Sequence, residues 1–176
     1  ESVKQDCYFK FNYDNDFFSA TDRYYTQGIV GELVLPIFKK VPTSKILIAF
    51  KNANNNSYGF AFEQDVFTPI SIRHNEIYRG ERPYAGTIFI THFLTSMNEE
   101  KKQRLTTGLS LGIIGPDAFC EQEQKNIHRL LNNLQPLGWQ YQIANDAIVN
   151  YNATWEQGFY TLNYFECIGT AQARVG

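Results

Sequence analysis

The sequence predicts an all-β protein of antiparallel strands, interrupted by one helix in a long connection. Three observations carry this reading. Segment after segment alternates apolar and polar residues at period two, which gives a strand one apolar and one polar face. Aromatic residues reach 15%, with 11 Tyr and 14 Phe, and flat rings pack well on a pleated surface. A single stretch, 117–134, repeats its apolar residues at helical spacing instead.

Taken in order, Cys7, Phe9, Phe11 and Tyr13 alternate with Lys10, Asn12 and Asp14, a first strand. A second runs near Tyr25 to Leu35, with Ile29, Leu33 and Leu35 on one side, and Pro36 and Pro42 then bound a loop. Residues 43–50 read two ways: Thr43 or Ser44 caps a short helix, or Ile46 to Phe50 is a strand. Tyr58, Phe60, Phe62 and Val66 share one face of the next strand, opposite Gly59, Ala61, Glu63 and Asp65. A loop follows from Pro69 to Pro83. Ala85 to Met97 is partly apolar on both faces, so its orientation is not readable. Asn98 to Lys101 makes a short polar hairpin turn. Leu105, Leu109, Leu111 and Ile113 then alternate with Thr106, Gly108, Ser110 and Gly112. Gly115-Pro116 stops that strand. Asp117 caps the predicted helix, Glu121 and Glu123 favour its positive end, and Ile127, Leu130, Leu131 and Leu134 form its apolar stripe. Pro136 and Gly138 end it. Two strands follow, over 147–156 and 160–164, and a last begins near Thr170.

Composition narrows the function classes. The net charge is −2 and the pI about 5.9, so no basic surplus exists to meet a phosphate backbone, which argues against nucleic acid as a partner. No run of 18 apolar residues occurs, so a membrane role has to come through a β-barrel. The opening Glu1-Ser2-Val3-Lys4 suits a mature N-terminus. Cys7, Cys120 and Cys167 are odd in number and lack metal-type spacing, and read as small apolar side chains. Residues 1–176 read as part of a single domain. The chain stops in mid-strand at Gly176, where an outer-membrane barrel commonly ends on an aromatic residue, so a piece of a longer protein is expected.

Three segments hold candidate chemistry. Asp14-Asn15-Asp16 and Asp22-Arg23 flank a strand connection; their oxygens suit calcium, though without EF-hand spacing, and an Asx-rich turn is the bland alternative. Gln124 and His128 stand four apart on the predicted helix and share a face. Histidine is the usual general base for activating water, and glutamine can hold that water or the ring. His74 and His92 read as solvated or structural. Arg79-Gly80-Glu81-Arg82 binds an anion or simply pairs internally. No Gly-x-Ser-x-Gly elbow is present, so a serine hydrolase has no motif behind it.

The order of these segments resembles the bacterial lipid A 3′-O-deacylase family. It runs Asn15-Asp16, Asp22 to Gly28 (Asp-Arg-Tyr-Tyr-Thr-Gln-Gly), Gln64 to Pro69 (Gln-Asp-Val-Phe-Thr-Pro) and Glu81 to Gly86 (Glu-Arg-Pro-Tyr-Ala-Gly). Gly112 to Pro116, Gln124 with His128, and Gly138 to Gln142 complete it. Each motif is weak alone; the ordered set, from about Phe11 to Gln142, is specific.

The resemblance implies a twelve-stranded antiparallel barrel in the Gram-negative outer membrane, with this chain as its N-terminal portion and the helix in a long outer loop. It implies hydrolysis of the 3′-acyloxyacyl ester of lipid A, calcium as cofactor, and lipid A or lipopolysaccharide as partner, with a monomer expected. By position, His128 is the implied general base and Gln124 positions water or substrate. Asp16 orients His128 or binds calcium, and Asn15 and Thr26 complete the polar pocket. Arg23, Arg82 and Arg73 are the implied substrate contacts. The sequence departs from some members in one respect: an acidic residue six positions after the helix histidine is replaced by Leu134. Asp16, Glu121 or Glu123 would have to supply oxygen instead. Two rivals stand beside this reading: another outer-membrane esterase or phospholipase, and a non-catalytic barrel that binds lipid or glycan.

Overall fold

The computed structural model describes residues 7–15, 24–77, 79–162 and 164–176. Seven strands make one sheet: β1 (Tyr8–Asn15), β2 (Tyr24–Val34), β3 (Asn55–Thr68), β4 (Ala85–Asn98), β5 (Gln103–Ile114), β6 (Asp146–Leu162) and β7 (Phe165–Val175). Each pairs antiparallel with the next, in chain order. The one α-helix among the described residues, α1 (Cys120–Leu130), lies in the β5–β6 connection.

Register explains how this sheet sorts its side chains. One row crosses six strands as Phe11, Gly31, Phe62, Ile90, Leu111 and Val149. Its large members are all exposed, from 40% at Phe62 to 58% at Phe11. The neighbouring row, on the other face, is Lys10, Glu32, Ala61, Thr91, Ser110 and Asn150. From Glu32 to Asn150 these are half-buried or buried, although no helix covers them. Side chains crowd one another on the concave side of a curved sheet and splay apart on the convex side. The polar face is therefore the inner wall and the apolar face the outer. The inner wall carries a polar network: Thr91 with Ser110 at 2.8 Å, Asn152 donating to Ser110 at 3.0 Å, Arg174 donating to Asn152 at 2.8 Å, and the Arg104–Glu156 pair. A membrane barrel has this arrangement, polar within and apolar toward lipid.

Four residues connect β4 to β5 and two connect β6 to β7, whereas the β3–β4 and β5–β6 connections are long. Short turns belong to the periplasmic end of such barrels and long loops to the outer end. The helix is thus at the outer end. There a tight cluster forms from Val66, Ile72, Tyr84, Ala118, Cys120 and Trp139. A Cβ on Gly86 would stand 2.5 Å from Cys120 Sγ, so this glycine lets α1 lie directly on the wall.

The strands β1, β2, β3 and β5 fall where the alternation put them, and three expectations need correction. The helix is shorter than 117–134: Pro116–Ala118 is a 3-10 turn, and Phe119, at φ 60°, breaks the path before α1 begins. Asp117 does not cap it; its N–H is taken by Asn145 Oδ1 at 3.0 Å. The segments 147–156 and 160–164 belong largely to one strand, β6, whose register shifts between Gly158 and Tyr160, and β7 begins at Phe165 rather than near Thr170. Of the two readings of residues 43–50 the strand is absent and the short helix is a 3-10 helix, Pro42–Ile46, which Val41 caps rather than Thr43 or Ser44.

Candidate functional site

The helix is amphipathic in the reverse sense to that expected. The apolar stripe does not face the wall: Leu130 is 83% exposed, and Leu131 and Leu134 are about half exposed. The buried positions are Cys120, Gln124 and His128, four residues apart and so on one face. A helix in water hides its apolar face. A helix on the outer wall of a membrane barrel has lipid as its surroundings, and the apolar side chains point outward.

Each buried group has a defined partner. Cys120 packs in the cluster above Val66, and burial first, with the charge of Glu123 second, pushes its thiol up to about 12. It is therefore a packing residue and not a nucleophile. Gln64 of β3 donates to the Ala118 carbonyl at 2.9 Å, pinning the turn before the helix. One turn on, Gln124 accepts a 2.8 Å hydrogen bond from the indole Nε1–H of Trp139, which is fully buried. Indole only donates, so the amide oxygen must face Trp139. The amide Nε2, a donor, is then left buried with no partner among the described residues. Next, His128 Nδ1 lies 2.6 Å from the Leu134 carbonyl oxygen. A carbonyl only accepts, so Nδ1 carries the proton, and in the neutral ring the basic lone pair is on Nε2. Leu134 thus contributes its main-chain oxygen here, while its side chain faces outward.

The first two strands reach this helix through a relay. Asn15 donates to Gln27 Oε1 at 3.2 Å, Tyr13 donates to the same oxygen at 3.3 Å, and Gln27 Nε2 donates to Glu123 Oε1 at 2.6 Å. Asn15 and the helix are therefore brought together. Thr26 is buried at the start of β2 with its hydroxyl 2.9 Å from that of Thr68. Arg82 lies over aromatic rings, 5.1 Å from the Phe67 centroid and 6.0 Å from that of Tyr24. Arg73 is exposed in the β3–β4 loop. Asp16 and Arg23 lie outside the described residues. Sequence reasoning named Glu123 only as a possible oxygen donor to calcium and did not single out Gln27 or Trp139 for the site. The signal for this face was there, in the spacing of Cys120, Gln124 and His128.

Among the described residues, no three His, Cys, Asp or Glu side chains gather to hold a metal ion. Glu123 offers a carboxylate next to Asn15 and Gln27, but the unspent atom of Gln124 is a donor and cannot ligate. Calcium needs six to eight oxygens, and these residues alone do not fit it.

A seven-stranded meander with a polar inner wall, an apolar outer wall and a helix docked on the outside defines an outer-membrane β-barrel protein. Comparison with known proteins gives the family. The chain belongs to the family described as outer membrane protein LpxR, whose profile matches residues 2–176. Comparison with curated proteins finds no match. Among solved structures, LpxR from Salmonella typhimurium is similar, at 20% identity and a TM-score of 0.68, over 88% of this chain and 49% of that one. The chain thus spans about half the length of the structure it matches.

Proposed function

We propose that the full-length protein is an ester hydrolase that removes the 3′-acyloxyacyl group of lipid A, acting as a monomer within a closed barrel of twelve strands. The observation that carries this reading is the buried stripe of α1: a histidine of fixed tautomer one turn from an amide donor with no acceptor, on the lipid-facing wall.

The chemistry follows from those two groups. His128 Nε2 takes a proton from water as it attacks the ester carbonyl, and the imidazolium returns that proton to the 3′ oxygen as the ester C–O bond breaks, so that the acyl group leaves as a carboxylic acid. The Leu134 carbonyl holds Nδ1–H and favours the imidazolium that forms. A general base of this kind contributes about 10²–10⁴-fold. Gln124 Nε2 donates to the oxygen on which negative charge grows. A buried donor without an acceptor costs about 1–3 kcal/mol, so the free site is poised to receive one. The exposed Leu130, Leu131 and Leu134 keep the helix among acyl chains, where the ester of a membrane lipid lies. Asn15, Gln27 and Glu123 hold the helix against the wall, and Thr26 braces β2 on β3. Arg73, Arg82 and Arg23 are assigned to the lipid A phosphates. Calcium belongs to the proposal through Asp16 with Glu121 or Glu123, and no step above runs through it. Activity that vanishes with a chelator and returns with calcium supports that part, and activity indifferent to both removes it.

The test is the mass of lipid A extracted from cells expressing the full-length protein. Loss of one 3′-acyloxyacyl mass, absent in His128→Ala, supports the reading. Loss of a fatty acid from phospholipid instead favours the rival esterase. Unchanged lipids with retained lipid A binding favour the non-catalytic barrel.

A further inference from the structure

The residues between β2 and β3 form the one long connection at the periplasmic end. They do not hang below the barrel. The segment folds back on the apolar outer wall and is held there by side chains of that wall. Phe38 meets Phe60 edge-on at 5.0 Å, and Thr43 Oγ1 lies 2.5 Å from His92 Nδ1. The N–H and C=O of Ile48 both bond the Thr107 hydroxyl at 3.1 Å. Phe50 N–H donates to Ser96 at 3.0 Å, and Tyr151 donates to the Ile46 carbonyl at 2.9 Å. Phe60, His92 and Tyr151 share one register row and the same face as Phe62, Ile90 and Val149. Polar groups on a lipid-facing wall are costly unless they are paired. Here they satisfy the main chain of the overlying segment.

The other side of the segment has two kinds of residue. Ile37, Ile46 and Ile48 are exposed, at 62%, 51% and 58%. Lys39, Lys40, Lys45 and Lys51 are exposed too, and none forms an ion pair with a described residue. Residues 35–54 contain no acidic side chain, in a chain whose net charge is −2. Apolar side chains beside lysines, continuous with the lipid-facing wall on a segment that joins the periplasmic ends of β2 and β3, match a membrane interface in both solubility and charge.

We infer that residues 35–51 are an interfacial clasp that binds anionic phospholipid of the periplasmic leaflet. The three isoleucines enter the acyl region and the four lysines meet the phosphates. This is independent of the hydrolytic site, which lies at the opposite end of the strands.

Native mass spectrometry of the full-length protein in detergent tests it, with phosphatidylglycerol as the probe. Wild type retains phosphatidylglycerol over phosphatidylcholine. The exposed quadruple variant Lys39→Gln, Lys40→Gln, Lys45→Gln, Lys51→Gln loses that preference, by about fivefold for each lysine that contacts a headgroup. The quadruple Lys→Arg variant at the same positions keeps it, and heat-modifiable gel migration checks that each barrel is folded. Excess inorganic phosphate leaves the bound lipid in place, because free phosphate lacks the acyl chains that Ile37, Ile46 and Ile48 hold. Equal phosphatidylglycerol retention by wild type and the Gln variant overturns the inference. Displacement by phosphate alone overturns it as well, in favour of a free-anion site.

Discussion

Two segments cover the outer wall of this barrel, one at each end, and each buries a histidine. At the periplasmic end His92 is stacked on Phe60, with centroids 4.6 Å apart, and its Nδ1 meets Thr43. Its Nε2 has no partner among the described residues. The Thr43 hydroxyl can accept from Nδ1, and in that tautomer Nε2 holds only a lone pair and no donor is stranded. At the outer end His128 sits one helical turn from Gln124, whose donor cannot be anything else because Trp139 fixes the amide. The comparison separates two meanings of a polar residue on a lipid-facing wall. His92, Ser96 and Thr107 are polar because a segment lies over them: Ser96 and Thr107 satisfy its main chain, and His92 meets its Thr43 hydroxyl. Gln124 keeps a buried donor that nothing among the described residues uses, and His128 shares its face of the helix.

After His128 itself, the largest effect that sharpens this contrast is expected at Gln124. Gln124→Ala in the full-length protein should lower the hydrolysis rate by about 10²–10³-fold, the usual loss for one donor to a developing oxyanion. A loss confined to KM would make Gln124 a binding group instead. Next comes Trp139→Phe, which keeps most of the ring packing and deletes the N–H. The amide can then rotate, and a fall of about tenfold in kcat is expected, with a stability loss of about 1–2 kcal/mol by thermal melting. An unchanged kcat would show that Trp139 does not orient Gln124. On the other side of the comparison, His92→Ala should leave kcat unchanged and lower stability by about 2–3 kcal/mol, through lost packing on Phe60 and a stranded Thr43. The smallest effect is at Cys120: its raised pKa and burial should keep it unlabelled by a thiol reagent at pH 8 while the exposed Cys7 and Cys167 react. Rapid labelling of Cys120 would mean that α1 lifts from the wall.

Much of this was legible in the sequence, and the failures have physical causes. Strands with one polar and one apolar wall alternate visibly, as β1, β3 and β5 do. β6 read as two strands because the irregularity between Gly158 and Tyr160 reverses the phase: Tyr151 and Trp155 are odd, Tyr160 even. The helix was found with its faces exchanged, since the usual rule assumes water outside, and Leu130 here faces lipid. The segment 43–50 resisted reading because its hydrogen bonds go to side chains of other strands, and no local pattern records those. Asn15, Gln124 and His128 were visible as site candidates. Trp139 and Gln27 were not, because their roles depend on which atom of an amide meets which partner.

The most direct measurement compares the two histidines in one protein. His128→Asn and His92→Asn are made in the full-length chain, and release of the 3′-acyloxyacyl group from lipid A is timed for folded samples of each. The expected result is a loss of about 10²–10⁴-fold for His128→Asn and a rate within about twofold of wild type for His92→Asn. Equal rates for the two variants, whether both retained or both lost, would contradict the assignment of the buried face of α1 as the hydrolytic site.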